Sequence, residues 1–222
     1  MSKTYGDPTH SDWLLFQPVD EHDSELMPAE TEIIRKMCPE TALAIITFQV
    51  DWFNDLTPWP AKSVFKGQPD FGNGAEKLLQ QIVSDIVPEV KSTSREQKLI
   101  LGGYSLAGLF ALWTAYQTDL FSGIVAASPS VWYPDWMEYA QANRVKTSAL
   151  YLSLGDREER TRNPVMRAVG DNIRKQYELL KAQGIPSKLT WNEGNHFVDS
   201  EKRTAAGFAW IINTIAAIGG TT

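Results

Sequence analysis

Short apolar runs alternate with stretches of helical periodicity along the 222 residues of the chain. Alternation of this kind is typical of strand–helix–strand crossover units, which build a mostly parallel sheet. The pattern predicts six strands, over residues 13–19, 42–50, 98–104, 123–128, 148–155 and 187–194.

The clearest predicted helix spans residues 164–183. Asn163 is suited to cap its first turn, Pro164 fits inside that turn, and Gly184 ends it. Further helices are predicted over residues 75–87 and 201–217. Because no repeat, low-complexity segment or linker divides the sequence, we expect one doubly wound domain over residues 1–222. Its sheet would have about six or more strands, with helices on both faces.

Composition narrows the class of protein. With 43% apolar and 22% charged residues, the chain can fill one core of ordinary soluble type. It has no long apolar run and begins with a polar segment, so the sequence predicts a cytoplasmic protein without a membrane partner. A formal net charge of -6 argues against a nucleic-acid partner. The single cysteine, Cys38, excludes an internal disulfide.

The segment KLILGGYSLAGLFALWTAY carries the first candidate for chemistry, Ser105, between a predicted strand and a predicted helix. Small residues surround the serine, as a sharp strand-to-helix turn requires. Ser105 could be simply the N-cap of the helix. Alternatively, it is a nucleophile on a strained elbow beside the free N–H groups of the new helix.

A nucleophilic serine needs a histidine base and an acid, which follow it along the chain in this kind of fold. Of the three histidines only His196 lies after Ser105, in the loop that follows the last predicted strand. The acid is expected after the preceding strand, where Asp156, Glu158 and Glu159 are available. We favour Glu158, with Asp156 second, and the pattern alone leaves the choice open.

Backbone N–H groups are expected to stabilise an oxyanion at this site. One donor would be Leu106, directly after the serine, and the other Trp52, with Asp51 as the alternative. The loops at the carboxyl ends of the strands also contain aromatic residues that suit an acyl or aryl group, although several are expected only to pack: Trp52, Phe53, Trp59, Phe65, Trp132 and Tyr133. The basic residues of the DREERTR run could meet an anionic substrate or be solvated.

Four motifs in order resemble the esterase family of α/β-hydrolases that includes the enterochelin (ferric-siderophore) esterases. They are GGYSLAGLFAL, ASPSVWYP, LGDREE and EGNHF, within a similarity that begins near residue 42. The resemblance implies an α/β-hydrolase fold, with Ser105 as nucleophile, His196 as base and Glu158 as acid. It also implies that Ser130 and Trp132 lie near the pocket. Asp51 and Phe53 are expected at the pocket because their loop follows a predicted strand.

The sequence therefore predicts a serine esterase that forms an acyl-enzyme on a small ester, siderophore-like or aryl, without a metal or an organic cofactor. Two alternatives remain open. The same acyl-enzyme could be transferred to another acceptor, or the fold could serve as a binding module without catalysis. The oligomeric state is left open.

Overall fold

The structure is a computed structural model that describes residues 2–219; of the predicted domain, residues 1 and 220–222 lie outside the described residues. Its strands are β1 (Ser2–Tyr5), β2 (Trp13–Val19), β3 (Leu43–Gln49), β4 (Lys98–Tyr104), β5 (Gly123–Ala127), β6 (Ala149–Gly155) and β7 (Ser187–Asn192). Its α-helices are α1 (Glu21–Met37), α2 (Ala75–Gln81), α3 (Val87–Val90), α4 (Ser105–Gln117), α5 (Trp136–Ala142), α6 (Pro164–Arg167), α7 (Val169–Ala182) and α8 (Ser200–Gly219).

The strands form one sheet of seven in the order β1-β3-β2-β4-β5-β6-β7. Every pairing is parallel except that of β1 with β3, which is antiparallel. The predicted doubly wound, mostly parallel sheet is confirmed. Each of the six predicted strands is present, with ends within two residues of those expected.

Side chains of the central strands alternate between the two faces of the sheet, as a strand period of two residues requires. Leu14 and Phe16 of β2 join a core with α2, α4, α5 and α7. Leu15 and Val19 point to the other face and join a core with α1 and α8. Both faces are covered, which explains why the strands read as continuous apolar runs.

The helix predicted over residues 164–183 is two helices, α6 and α7, with Ala168 between them. At this point the Ala168 N–H donates to the carbonyl of Val165, three residues back, so the ladder of four-residue hydrogen bonds is interrupted. Asn163 caps α6 as predicted, because its side chain accepts from the N–H groups of Val165 and Met166.

The helix predicted over residues 75–87 is also divided, since a π-helical segment, Ile82–Ile86, separates α2 from α3. The final helix, α8, extends slightly beyond the predicted range at both ends. Between residues 2 and 219, no helix combines the length and the apolar character that crossing a membrane requires.

Candidate active site

A cavity of about 890 Å³ opens at the carboxyl ends of the parallel strands, where a sheet of this type places its ligand site. Loops after β3, β4, β5, β6 and β7 all contribute to its lining. The lining includes the candidate residues Trp52, Phe53, Ser105, Leu106, Trp132, Glu158 and His196.

Ser105 is the first residue of α4, directly after β4, and its φ of 58° lies in the left-handed region. This conformation costs a non-glycine residue about 1–3 kcal/mol, so the surrounding structure must enforce it. Close packing does so: a Cβ at Gly103 would lie 2.5 Å from the Cβ of Ala107. A Cβ at Gly108 would lie 3.0 Å from the Ala127 carbonyl oxygen of β5. The glycines therefore let α4 turn tightly back against the sheet.

Three of the predicted side chains form a continuous hydrogen-bonded chain. His196 Nε2 lies 2.9 Å from Ser105 Oγ, and His196 Nδ1 lies 2.7 Å from Glu158 Oε2. An ionised carboxylate only accepts hydrogen bonds, so the network assigns the proton to Nδ1 and leaves Nε2 to accept from the Ser105 hydroxyl. In this arrangement His196 Nε2 can accept the hydroxyl proton of Ser105.

The structure places the three candidate acids in different environments. Glu158 is the one that contacts the histidine. Asp156 Oδ1 accepts from the N–H of Gly194 at 2.9 Å. Glu159 forms a two-pronged ion pair with Arg174, with N–O distances of 2.9 and 3.0 Å.

Glu158 is buried, and its second oxygen, Oε1, is fully engaged. Oε1 accepts from the Gly155 N–H at 2.7 Å, from Ser128 Oγ at 2.8 Å and from an Arg203 nitrogen at 3.0 Å. Burial alone would raise the pKa of Glu158. The hydrogen bond and charge of His196, with the bonds from Gly155 and Ser128, outweigh it and lower the pKa. The carboxyl group is therefore held in its ionised form.

Arg203 of α8 was not predicted as a site residue from the sequence, yet its side chain contacts several parts of the site. Its guanidinium, in a side chain only 2% exposed, donates to Glu158 Oε1 and to the hydroxyl oxygen of Tyr104, each at 3.0 Å. It also donates to the backbone carbonyls of Glu193 and Asn195, again at 3.0 Å. Arg203 thus holds both the acid and the loop that carries His196.

The predicted oxyanion donors differ in their availability. Within residues 2–219 the N–H groups of Leu106 and Trp52 donate to no backbone or side-chain acceptor, and both residues line the cavity. The N–H of Asp51 instead donates to Asp55 Oδ2 at 2.8 Å, and Asp51 is not among the lining residues. The structure therefore brings Trp52, and not Asp51, to the cavity.

The remaining predicted pocket residues fall into two groups. Phe53, Phe65 and Trp132 line the cavity, and Ser130 lies behind the nucleophile with its Oγ 3.4 Å from Ser105 Oγ. Two further aromatic residues pack away from the cavity lining: Trp59 stacks near Trp136, and Tyr133 donates to the Trp59 carbonyl at 2.6 Å. The expectation that some of the aromatic residues only pack is met by this second group.

Among the residues that the structure describes, no group of three or more histidine, cysteine, aspartate or glutamate side chains could hold a metal ion. The chemistry available from the described side chains is that of a hydroxyl, an imidazole and a carboxylate in sequence, beside two free N–H groups.

The chain is similar to known proteins. A family model described as "Putative esterase" matches residues 38–200, and the chain belongs to that family. One relative is the siderophore enterobactin esterase of Emericella nidulans, which is 28% identical over 169 residues, or 63% of this chain and 55% of the relative. Another is the uncharacterized protein YbbA of Bacillus subtilis, 26% identical over 139 residues, or 60% of this chain and 56% of YbbA. The matches thus span little more than half the length of each curated relative.

Solved structures show the same fold. The siderophore hydrolase EstA from Aspergillus nidulans superposes with a TM-score of 0.71 at 23% identity, covering 93% of this chain and 84% of EstA. An IroE-like serine hydrolase from Shewanella oneidensis gives a TM-score of 0.77 at 16% identity, covering 94% and 74% of the two chains. The predicted esterase family and α/β-hydrolase fold are confirmed.

Proposed function

We propose that the protein hydrolyses small carboxylic esters through an acyl-enzyme on Ser105, with His196 as general base and Glu158 as the orienting acid. The observation that carries this proposal is the hydrogen-bonded chain from Ser105 Oγ through both nitrogens of His196 to Glu158 Oε2. Membership of an esterase family supports the same chemistry.

Each atom has a defined task in the proposed reaction. His196 Nε2 takes the hydroxyl proton as Ser105 Oγ attacks the ester carbonyl, and the resulting oxyanion accepts from the N–H groups of Leu106 and Trp52. When the carbon–oxygen bond to the alcohol breaks, His196 returns its proton to the departing oxygen. Water then repeats the cycle on the acyl-enzyme, releasing the carboxylic acid and restoring Ser105.

Glu158 supports this cycle because the imidazole carries a positive charge after each proton transfer. An ionised carboxylate at Nδ1 stabilises the imidazolium and holds the ring in the orientation that points Nε2 at the serine. The lowered pKa of Glu158 keeps this partner charged throughout the neutral pH range.

The cavity supports a small organic substrate. Its volume of about 890 Å³ lies within the usual range for ligand pockets, and its wall includes Trp52, Phe53, Phe65 and Trp132. Aryl and siderophore-like esters are the substrate classes we propose, the second because one relative is named a siderophore enterobactin esterase.

The test compares the purified protein with Ser105→Ala on short-chain p-nitrophenyl esters over about pH 5 to 9. We expect activity that increases as the base loses its proton and that disappears in the variant. Ser94→Ala, an exposed serine elsewhere, should keep full activity. A fluorophosphonate probe should label Ser105 alone. Equal activity of the Ser105→Ala protein, or labelling that persists in it, would show that the nucleophile is wrong.

A further inference from the structure

Positive charge collects around the cavity although the whole chain has a formal net charge of -6. Lys66, Arg157 and Arg160 line the cavity, and the one carboxylate in its lining is Glu158. Since Glu158 is already bonded to His196 and Arg203, it does not neutralise these cations. An anion entering the cavity would therefore meet the three cations, of which Arg157 also lies 4.0 Å from the Asp156 carboxylate.

The acids of the loop after β6, other than Glu158, have hydrogen-bond partners outside the cavity lining or on the backbone. Glu159 is turned outward to Arg174. Asp156 bonds to Gly194 and lies 4.0 Å from the Arg157 side chain. Arg157 and Arg160 are left to line the cavity.

Local geometry brings Arg157 and Arg160 to the same side of one turn and ties the Lys66 loop to the segment that follows that turn. The N–H of Arg160 donates to the Arg157 carbonyl at 3.1 Å, which closes a 3-10 turn, and residues three apart in such a turn project on the same side. The loop that carries Lys66 is joined to the following segment, because Asn163 Nδ2 donates to the Val64 carbonyl at 3.1 Å. Within residues 2–219, neither Lys66 nor Arg160 has an ion-pair partner.

Of these cations, Arg157 lies beside the loop that carries His196, where the proposed reaction would release the alcohol half of an ester. The Arg157 N–H donates to the Gly194 carbonyl at 3.1 Å, two residues before His196. In the proposed reaction His196 protonates the departing oxygen, so the alcohol half leaves beside this loop. Phe197, which is 91% exposed and also lines the cavity, adds an apolar surface there.

We propose that Lys66, Arg157 and Arg160 form a subsite for an anionic group, such as a carboxylate, carried on the alcohol half of the ester. The inference rests on the proposed esterase function and names the substrate class of that same site. Apolar contact with Phe65 and Phe197 favours an aryl or alkyl spacer between the ester oxygen and the anion.

Two esters that differ only in charge test the proposal: the acetyl ester of para-hydroxyphenylpropionate and the acetyl ester of the corresponding amide. Their phenols are equally good leaving groups. We expect kcat/KM for the carboxylate to exceed that for the amide by about tenfold, since each exposed ion pair contributes about two- to fivefold. Added salt should reduce the ratio by screening the charges.

Substitutions at the subsite should change this ratio without abolishing hydrolysis of the amide. Arg157→Gln, Arg160→Gln and Lys66→Gln should each lower it by about two- to fivefold. Arg162→Gln removes the same charge from the same loop but outside the cavity lining, so it should leave the ratio unchanged.

The outcomes separate the two proposals. Hydrolysis of both esters at equal kcat/KM, unaffected by the three subsite substitutions, overturns the anion subsite and leaves the esterase function standing. If neither ester is hydrolysed and the fluorophosphonate does not label Ser105, the esterase function fails. The subsite is then judged by NMR titration with para-hydroxyphenylpropionate and its amide. Binding of the carboxylate that Arg157→Gln weakens supports the subsite, and equal affinity for both compounds overturns it.

Discussion

The two oxygens of Glu158 have separate tasks. Oε1 is held by the Gly155 N–H, by Ser128 and by Arg203, so that only Oε2 faces His196. A carboxylate fixed in this way is prepared for its role before substrate arrives, because no rearrangement is needed when the imidazole becomes charged. Replacing one carboxylate oxygen by the NH2 group of glutamine would disturb both tasks.

We therefore expect Glu158→Gln to lower kcat by about a thousandfold or more, because an amide cannot stabilise the imidazolium and can favour the wrong tautomer. Steady-state hydrolysis of a p-nitrophenyl ester measures the effect. Glu159→Gln is the matched control and should stay within about twofold, since Glu159 pairs with Arg174 at the surface. Equal losses in the two variants would contradict the assignment of the acid.

Arg203→Met should lower the free energy of unfolding by about 3–5 kcal/mol, because it leaves the buried Glu158 carboxylate without its cation. Denaturant unfolding measures the change. Lys202→Met, next to it on the same helix but in an exposed ion pair, should have little effect. If the cause is the unpaired charge, adding Glu158→Gln to Arg203→Met restores part of the stability, and failure to do so would refute this explanation.

The sequence indicated the proposed catalytic residues more clearly than the residues that hold them in place. Ser105 and His196 were identified from the sequence, because Ser105 lies between a predicted strand and a predicted helix and a single histidine follows it. Arg203 was not, because a buried arginine in a helix looks like any other helical arginine until the fold brings it to Glu158. Asp51 was expected at the pocket, but its loop bends so that its N–H bonds to Asp55.

At the level of elements, the central strands were predictable because their apolar runs are continuous. β1 was not predicted, since its residues are polar and mostly exposed and only backbone pairing with β3 makes them a strand. The break between α6 and α7 was missed because Ala168 is a good helix former. Tertiary contacts decide both features.

On helix α1, the carboxyl group of Glu30 should make the stability of the protein depend on pH. This carboxyl group is buried against β2, with Gln17 Nε2 3.5 Å from its Oε2, while Glu30 Oε1 and Gln17 Oε1 have no partner within the described residues. Burial raises the pKa of Glu30 well above its ordinary value. A raised pKa in the folded state means that stability is greatest below the unfolded pKa and falls as pH rises towards the folded value.

Glu30→Gln should accordingly raise the midpoint of thermal unfolding by several degrees near pH 8, because it removes the cost of the acid and provides a donor for Gln17. The gain should shrink towards about pH 3, below the ordinary pKa of glutamate, where the carboxyl group is protonated in both states. Glu32→Gln, in an exposed pair with Lys36, should change little at either pH. A gain that is independent of pH would show that the carboxyl group is not responsible.

For the whole molecule, the expectation of one domain stays a prediction. Helices on both faces pack on one continuous sheet, so disrupting either face would expose the strands of the other. We expect a single thermal transition whose calorimetric and van't Hoff enthalpies agree. Two resolved transitions, or a protease-resistant fragment that keeps its structure, would contradict it.

The position of Arg203 along the chain affects when the proposed active site can assemble during biosynthesis. Translation delivers Ser105 first, Glu158 and His196 later, and α8 with Arg203 after all of them. Because Arg203 holds Glu158 and the His196 loop, we expect the proposed catalytic residues to be assembled only when α8 docks, so that the serine of a nascent chain stays inert. Ribosome-arrested chains that end before α8 should resist fluorophosphonate labelling, whereas chains with α8 outside the exit tunnel should react. Helix α8, which follows the three proposed catalytic residues along the chain, would then decide when the proposed esterase site becomes reactive.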